Sequence, residues 1–372
     1  MVISRQETSL RCVSLTSRVF KFVPFHEYSE LCEKPNNRTD YSIPFHNAFK
    51  TGDSLPRGEK TEFLGSEILG SCNGLVALLC RDTKKDDEKM FKICFLNPST
   101  RVSRYLPMKI PYDKVYGYGY DSVSDDHGKV YGFGYDPVSD DYKLVQVSKA
   151  KNKIIPKTKV YSLNSDSWKS IDGEVPIRYP LHWPFQKRQW PYWGRWNGVL
   201  VNHALHWLLV NKNHDLDSSL VNNAVIAFDL TTEEYRQLSL PRVMSSSARD
   251  LCEQVYELGG CLCVTFVNDI WVMKEYGSRE SWIKIFTVND DDAIQSRGLA
   301  YTYSKSGEKL LMTKYDIGDW WNYLVDVDDK LFRPKKRKRR KSVATVFKTF
   351  EMCVCLATLV SPYQTRATAR LN

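Results

Sequence analysis

A chain of 372 residues can bury a sizeable core, and with 42% apolar and 13% aromatic residues it excludes a disordered or low-complexity protein. The net charge of +9 is local: Arg333 to Lys341, RPKKRKRRK, holds eight basic residues, and without them the body stands at +1. A nearly neutral body argues against a protein built as a whole to grip a phosphate backbone, so nucleic acid is not an expected partner.

MVISRQETSLRC has no apolar signal core, and the late apolar run Met352 to Val360 is far shorter than a membrane span. A soluble protein of nucleus and cytoplasm, without a membrane partner, is the expectation. Segments of four to eight residues with period-two apolar patterning follow one another along the chain, each bounded by Gly, Pro, Asn or Asp. Units open near residues 70, 132, 198, 259 and 298. Each of the first four units couples an opening strand to a hairpin: CFLNPSTRVSRYLP (94–107), KVYSLNSDSWKSI (159–171), IAFDLTTEEYRQLSLP (226–241) and IWVMKEYGSRESWIKI (270–285). Their closing strands should place Tyr105, Trp168, Tyr235 and Trp282 inward. Four-stranded repeats of this length are propeller blades, and a blade cannot bury its faces alone, so the blades must form a ring. The strand-like ends, 9–25 and 342–360, are expected to combine into a sixth blade that closes it.

The expectation is therefore an all-β, kelch-like β-propeller of about six blades closed by N- and C-terminal strands. Its parts are residues 1–62 leading in, 63–332 as the propeller, 333–341 as a basic exposed loop, and 342–372 as the closing strand and tail.

Within the second unit one phrase is written twice: VYGYGYDSVSDD (115–126) and VYGFGYDPVSDD (130–141) share ten of twelve positions. The second copy runs into YKLVQV and should be the blade strand, with Asp136 bonding its own backbone and Pro137 setting φ. The first reads as a tandem duplication carried as a loop or surplus hairpin. Its DSVSDDHG (121–128) lacks the ligand spacing of a calcium loop.

Catalytic patterns are missing: no H-E-x-x-H, P-loop or G-x-S-x-G occurs among the seven histidines and their surroundings, and His203 and His206 should lie on opposite faces of one strand. The ten cysteines form no C-x-x-C pair, and Cys261 and Cys263 should be small core residues of one strand face. No enzyme, cofactor or metal is expected. The aromatic and basic stretch RYPLHWPFQKRQWPYWGRWNG (178–198) is the best candidate for binding a partner, through Trp183, Arg188, Trp190, Trp193, Arg195 and Trp196. Lys335, Lys336, Arg337, Lys338, Arg339, Arg340 and Lys341 match a nuclear import signal in a solvated loop.

Taken together, GSCNGLV (70–76), FLNPSTR (95–101), GFGYDPVSDDYKLVQV (132–147), VYSLNSDSW (160–168), GVLVNHALHWL (198–208), IAFDLTTEEYRQL (226–238) and DIWVMKEYGSRESWIKIF (269–286) make the chain resemble the F-box-associated interaction domain of plant F-box proteins. That resemblance implies a kelch-like propeller that recognises a target protein for an SCF-type ubiquitin ligase. In the family an F-box precedes the domain and binds the Skp-type adaptor. Residues 1–62 show no such Leu-rich helical segment, so adaptor and cullin are expected as partners only if an F-box is supplied. A nuclear nucleic-acid-associated protein using the basic run and the Trp segment, and a decoy binder uncoupled from the ligase, are the alternatives.

Overall fold

The structure is a computed structural model that describes residues 10–15, 19–24, 42–44, 50–51, 67–82, 90–111, 129–148, 157–172, 181–182, 197–211, 224–241, 252–266, 269–288, 298–303, 309–316, 319–326, 331–332, 351–356 and 359–363. These residues form six sheets. Blade I consists of Glu67–Cys72, Leu75–Asp82, Met90–Asn97 and Val102–Pro111, and blade II of Lys129–Asp136, Asp141–Ser148, Lys157–Ser162 and Ser167–Ile171. In blade III, Leu181–His182 and Val199–Val201 precede Ala204–Asn211, Ala224–Asp229 and Tyr235–Leu238. Blade IV holds Cys252–Leu258, Cys261–Phe266, Asp269–Met273 and Trp282–Val288, and blade V Gly298–Tyr303, Lys309–Asp316 and Asp319–Asp326. Blade VI closes the ring as expected: Glu351–Leu356 pairs antiparallel with Leu10–Leu15, which leads into Val19–Pro24 and Ser42–Pro44.

The core lies between blades rather than within any one of them. Successive residues of a strand point to opposite faces, and here both faces are buried. In blade III, Leu205, Trp207 and Leu209 join Val130, Val145 and Val160 of blade II, while Ala204 and Leu208 join Val255, Leu262 and Val264 of blade IV. Blades I and II meet through an aromatic layer in which the Phe95 ring lies 5.3 Å from Phe133 and 6.1 Å from Tyr161.

Three of the units open on a hairpin. Asn73-Gly74, Asn202-His203 and Gly259-Gly260 all have positive φ at both positions, the requirement of the two-residue turn whose twist matches flanking strands. Two sequence expectations change accordingly. His203 belongs to a turn at φ 60° rather than to the strand of His206, and the fourth blade begins at Cys252, one strand before the Gly259 at which its unit was read. Gly70 and Gly132 do mark inner strands. A Cβ on Gly70 would meet Phe133 at 3.0 Å, and one on Gly132 would meet Leu205 at 2.8 Å, because neighbouring blades converge toward the axis of the ring.

The third and fourth strands of blades I to IV are joined by one recurrent turn. A residue in the left-handed region lies four positions after the strand end: Arg101 after Asn97, Asp166 after Ser162, Glu233 after Asp229, Gly277 after Met273. Asn97 Oδ1 accepts from the Ser99 amide at 2.8 Å, and Asp229 Oδ1 from the Thr231 amide at 2.8 Å, so the side chain substitutes for the missing ladder. Of the closing-strand aromatics expected inward, Trp282 is buried and its Nε1 donates to Ser239 O, whereas Tyr105, Trp168 and Tyr235 are half-buried because the outermost strand has one face toward water.

Candidate recognition surface

The inner strand of blade III is written in two pieces. His182 pairs with Val210 and Val199 with His206, on the same edge of Ala204–Asn211, whose other edge is taken by Ala224–Asp229. Three residues, 207–209, thus separate the two pairings on the neighbouring strand, against sixteen, 183–198, on the inner one. His182 and Val199 therefore both lie on the edge of the blade next to the ring axis, where the inner strands of blades I, II and III touch.

The downstream end is pinned across three blades. The Asn197 side chain accepts from the Tyr131 amide at 3.1 Å and donates to Ile68 O at 3.0 Å, while the Gly198 amide donates to Tyr131 O at 2.5 Å. A side chain on Gly198 would force its surroundings to shift, since a Cβ would lie 2.6 Å from the Trp207 ring. Asn197 and Gly198 are thus fixed against the inner strands of blades I and II.

Polar joints hold blade III to its neighbours. Toward blade II, Lys143 Nζ lies 3.0 Å from Asp136 Oδ2 and 3.3 Å from Glu233 Oε1, and donates to Leu230 O at 2.5 Å. Burial pushes the Asp136 carboxyl up. Donors from Ser139, Thr231, Lys143 and the Val138 amide outweigh it and hold the group well below the usual carboxylate range. Toward blade IV, fully buried His206 places Nδ1 3.0 Å from Val199 O and Nε2 2.8 Å from the Tyr276 hydroxyl, which accepts from Arg236 Nη2 at 2.9 Å. A carbonyl can only accept, so Nδ1 carries the proton and Nε2 accepts from Tyr276. Burial, reinforced by the Arg236 charge, lowers the imidazole from 6.5 to about 4 and keeps it neutral.

At the junction of blades I and II the segment Leu359–Tyr363 lies across the hairpin ends. Asn97 Nδ2 donates to Val360 O at 2.6 Å, Arg104 Nη1 to Pro362 O at 3.3 Å, and the Tyr363 hydroxyl to Ser103 O at 3.0 Å. Arg104 is itself held by Asp166 at 2.7 Å and donates to Leu163 O.

All thirteen side chains singled out in the sequence lie outside the described residues: Trp183, Arg188, Trp190, Trp193, Arg195 and Trp196 in the insert, and Lys335 to Lys341 in the basic run. So does the first copy of the doubled phrase. The second copy is the inner strand of blade II, and Asp136 Oδ1 accepts from the Val138 amide at 3.0 Å as its turn chemistry requires. Among the described residues no group of three or more His, Cys, Asp and Glu could hold a metal ion, and no helix is long and apolar enough to cross a membrane. Cys263 is buried and Cys261 partly so in the core beside blade IV. Lys143, Asn197 and Arg104 escaped the sequence reading because each meets partners far away in the chain. Only the polarity of Lys143 within the apolar run YKLVQV hinted at a buried charge.

The family model for the F-box associated beta propeller domain matches residues 19–350. Among curated proteins, F-box protein CPR1 of Arabidopsis thaliana is 31% identical over 267 residues, covering 66% of this chain and 58% of that protein. F-box protein At4g22390 of the same plant is 29% identical over 254 residues, covering 62% and 54%. The chain thus spans a little over half the length of these relatives. Among solved structures, TolB from Acinetobacter baumannii aligns over 87% of this chain and 62% of its own at 8% identity, with a TM-score of 0.43.

Proposed function

Because this chain belongs to the F-box associated β-propeller family, we propose that it is a non-catalytic target-recognition domain serving an SCF-type ubiquitin ligase. The observation that carries the reading is the interruption of the blade III inner strand by an insert rich in Trp and Arg, whose flanking residues His182 and Val199 are held on the blade edge. Large aromatic and guanidinium side chains supply the anchoring contacts of protein interfaces. The names of the relatives point the same way, since each is an F-box protein.

Trp183, Arg188, Trp190, Trp193, Arg195 and Trp196 are the contacts of this reading, and the run Lys335–Lys341 directs part of the protein to the nucleus. The test is proximity labelling in plant cells with the native chain and with Trp190→Ala/Trp193→Ala. Partners labelled by the first and lost from the second, at unchanged melting temperature, support the reading; identical partner sets refute the assignment of the insert. Co-expression with a Skp-type adaptor adds the ligase arm: co-elution only after an F-box is grafted on places adaptor binding outside this domain. Binding to nucleic acid would instead weaken steeply with salt.

A further inference from the structure

The segment that follows the last strand occupies the I/II junction in a manner that an unrelated peptide could reproduce. Asn97 Nδ2 and Arg104 Nη1 each hold a main-chain carbonyl, of Val360 and Pro362, and main-chain groups exist in every peptide. Three features add side-chain selectivity. Val360 packs against the aromatic core of blades I and II, Pro362 is buried, and the Tyr363 ring lies 5.8 Å from the Arg104 guanidinium with its hydroxyl on Ser103 O. Proline also presets φ for the turn at Pro362–Tyr363, in which the Tyr363 amide donates to Ser361 Oγ at 3.2 Å, and lowers the ordering cost of such a ligand.

Two details distinguish this corner from ordinary closure of the fold. Leu359 stands 89% exposed at its upstream end, so the segment does not bury its own most apolar side chain. Among the described residues, the buried hydroxyls of Ser99 and Ser103 meet no protein hydrogen-bond partner with the segment in place. Buried polar atoms in a purely structural contact are normally satisfied.

We propose that the I/II junction is a peptide-binding groove for an aliphatic-Ser-Pro-aromatic segment of a partner protein that turns at its proline, and that residues 359–363 occupy it in cis. Tethered two residues beyond Leu356, the segment competes at an effective concentration of about millimolar or higher, so a partner engages only when it binds more tightly or the segment is withdrawn. The groove stands on these contacts alone and does not depend on the role of the Trp-rich insert.

The experiment uses the full chain with a protease site replacing Ala357-Thr358, folded intact and then cut. A fluorescein-labelled peptide, Leu-Val-Ser-Pro-Tyr-Gln, is added and its anisotropy followed, with circular dichroism reporting the fold. The expected result is saturable binding to the cut chain, at least tenfold weaker binding to the uncut chain, and a loss of at least tenfold from the cut chain on Arg104→Ala or on replacing proline by alanine in the peptide. A cut chain that stays folded and takes up no label within a day overturns the proposal, as does one that unfolds on cutting; either makes the segment a structural strap. Equal binding to cut and uncut chains overturns it too, by placing the peptide elsewhere.

Discussion

Blade III meets blade II and blade IV through joints of opposite chemistry. On one side Lys143 is enclosed by Asp136, Glu233 and the Leu230 carbonyl, a cluster of charges almost removed from water. On the other a neutral His206 passes hydrogen bonds from Tyr276 to the Val199 carbonyl. Both sit beside tightly packed apolar layers and both are buried, so their difference teaches which polar groups a propeller seam tolerates. Charges are kept where opposite charges and donors satisfy them, and a titratable ring is kept where burial forces it neutral.

The largest effect should come from breaking the charged joint on one side only. Lys143→Met leaves Asp136 and Glu233 with a buried negative charge and is expected to cost about 3–5 kcal/mol, read by urea unfolding; adding Asp136→Asn should recover part of it. A loss below about 1 kcal/mol would mean that water reaches the cluster, on the scale of exposed pairs.

The pH dependence separates the two joints. The folded His206 titrates at about 4, below its unfolded 6.5, so the unfolded chain binds more protons between those values and stability falls as pH drops from 6.5 toward 4. The effect reaches about 3 kcal/mol at pH 4, and His206→Gln should flatten that part of the profile. Asp136 works in the other range. Its depressed folded value means that its contribution is complete above the unfolded carboxylate value of about 3.9 and disappears only in stronger acid. A wild-type profile that is flat from pH 6.5 to 4 would contradict the neutral joint.

A smaller loss is expected where the blades simply approach. Gly198→Ala forces a methyl against the Trp207 ring and should cost about 1–3 kcal/mol, whereas Gly260→Ala meets nothing and should cost only the strain of a left-handed alanine, about 1 kcal/mol. Equal losses at the two sites would remove the close approach as the reason for the glycine. The smallest change is Arg236→Ala, an exposed residue that lies over Tyr276 at 4.9 Å and donates to it; a drop of about 0.5 kcal/mol is expected, with the His206 transition moving to higher pH as a nearby positive charge is lost.

Much of the architecture was legible because it is local. The runs LVALLC, DYKLVQV and AVIAFD announce strands by composition, and NPST, DPVSD and DLTTEE announce turns by residues that bond their own backbone. The hairpin at Asn73-Gly74 is equally legible, since Asn-Gly is the pair that two-residue turns favour, whereas Asn202-His203 carries no glycine to betray its turn. Where both faces of a strand are buried, alternation fades and an inner strand split in two, as at 182 and 199, looks like a long loop. The insert was recognisable by its Trp and Arg residues, while the place of its flanking residues beside the ring axis was not.

By itself, then, the sequence determined the strands, most of their turns and the family, since each depends on residues within a few positions of one another or on an ordered set of short phrases. Tertiary structure alone decided what those strands meet. Asn197 reaches Ile68, Lys143 reaches Leu230, and Asn97 holds Val360 across separations of 129, 87 and 263 residues. Such contacts arise only when the ring closes and brings hairpin ends and inner strands together, and no periodicity along the chain records which distant residue will be there.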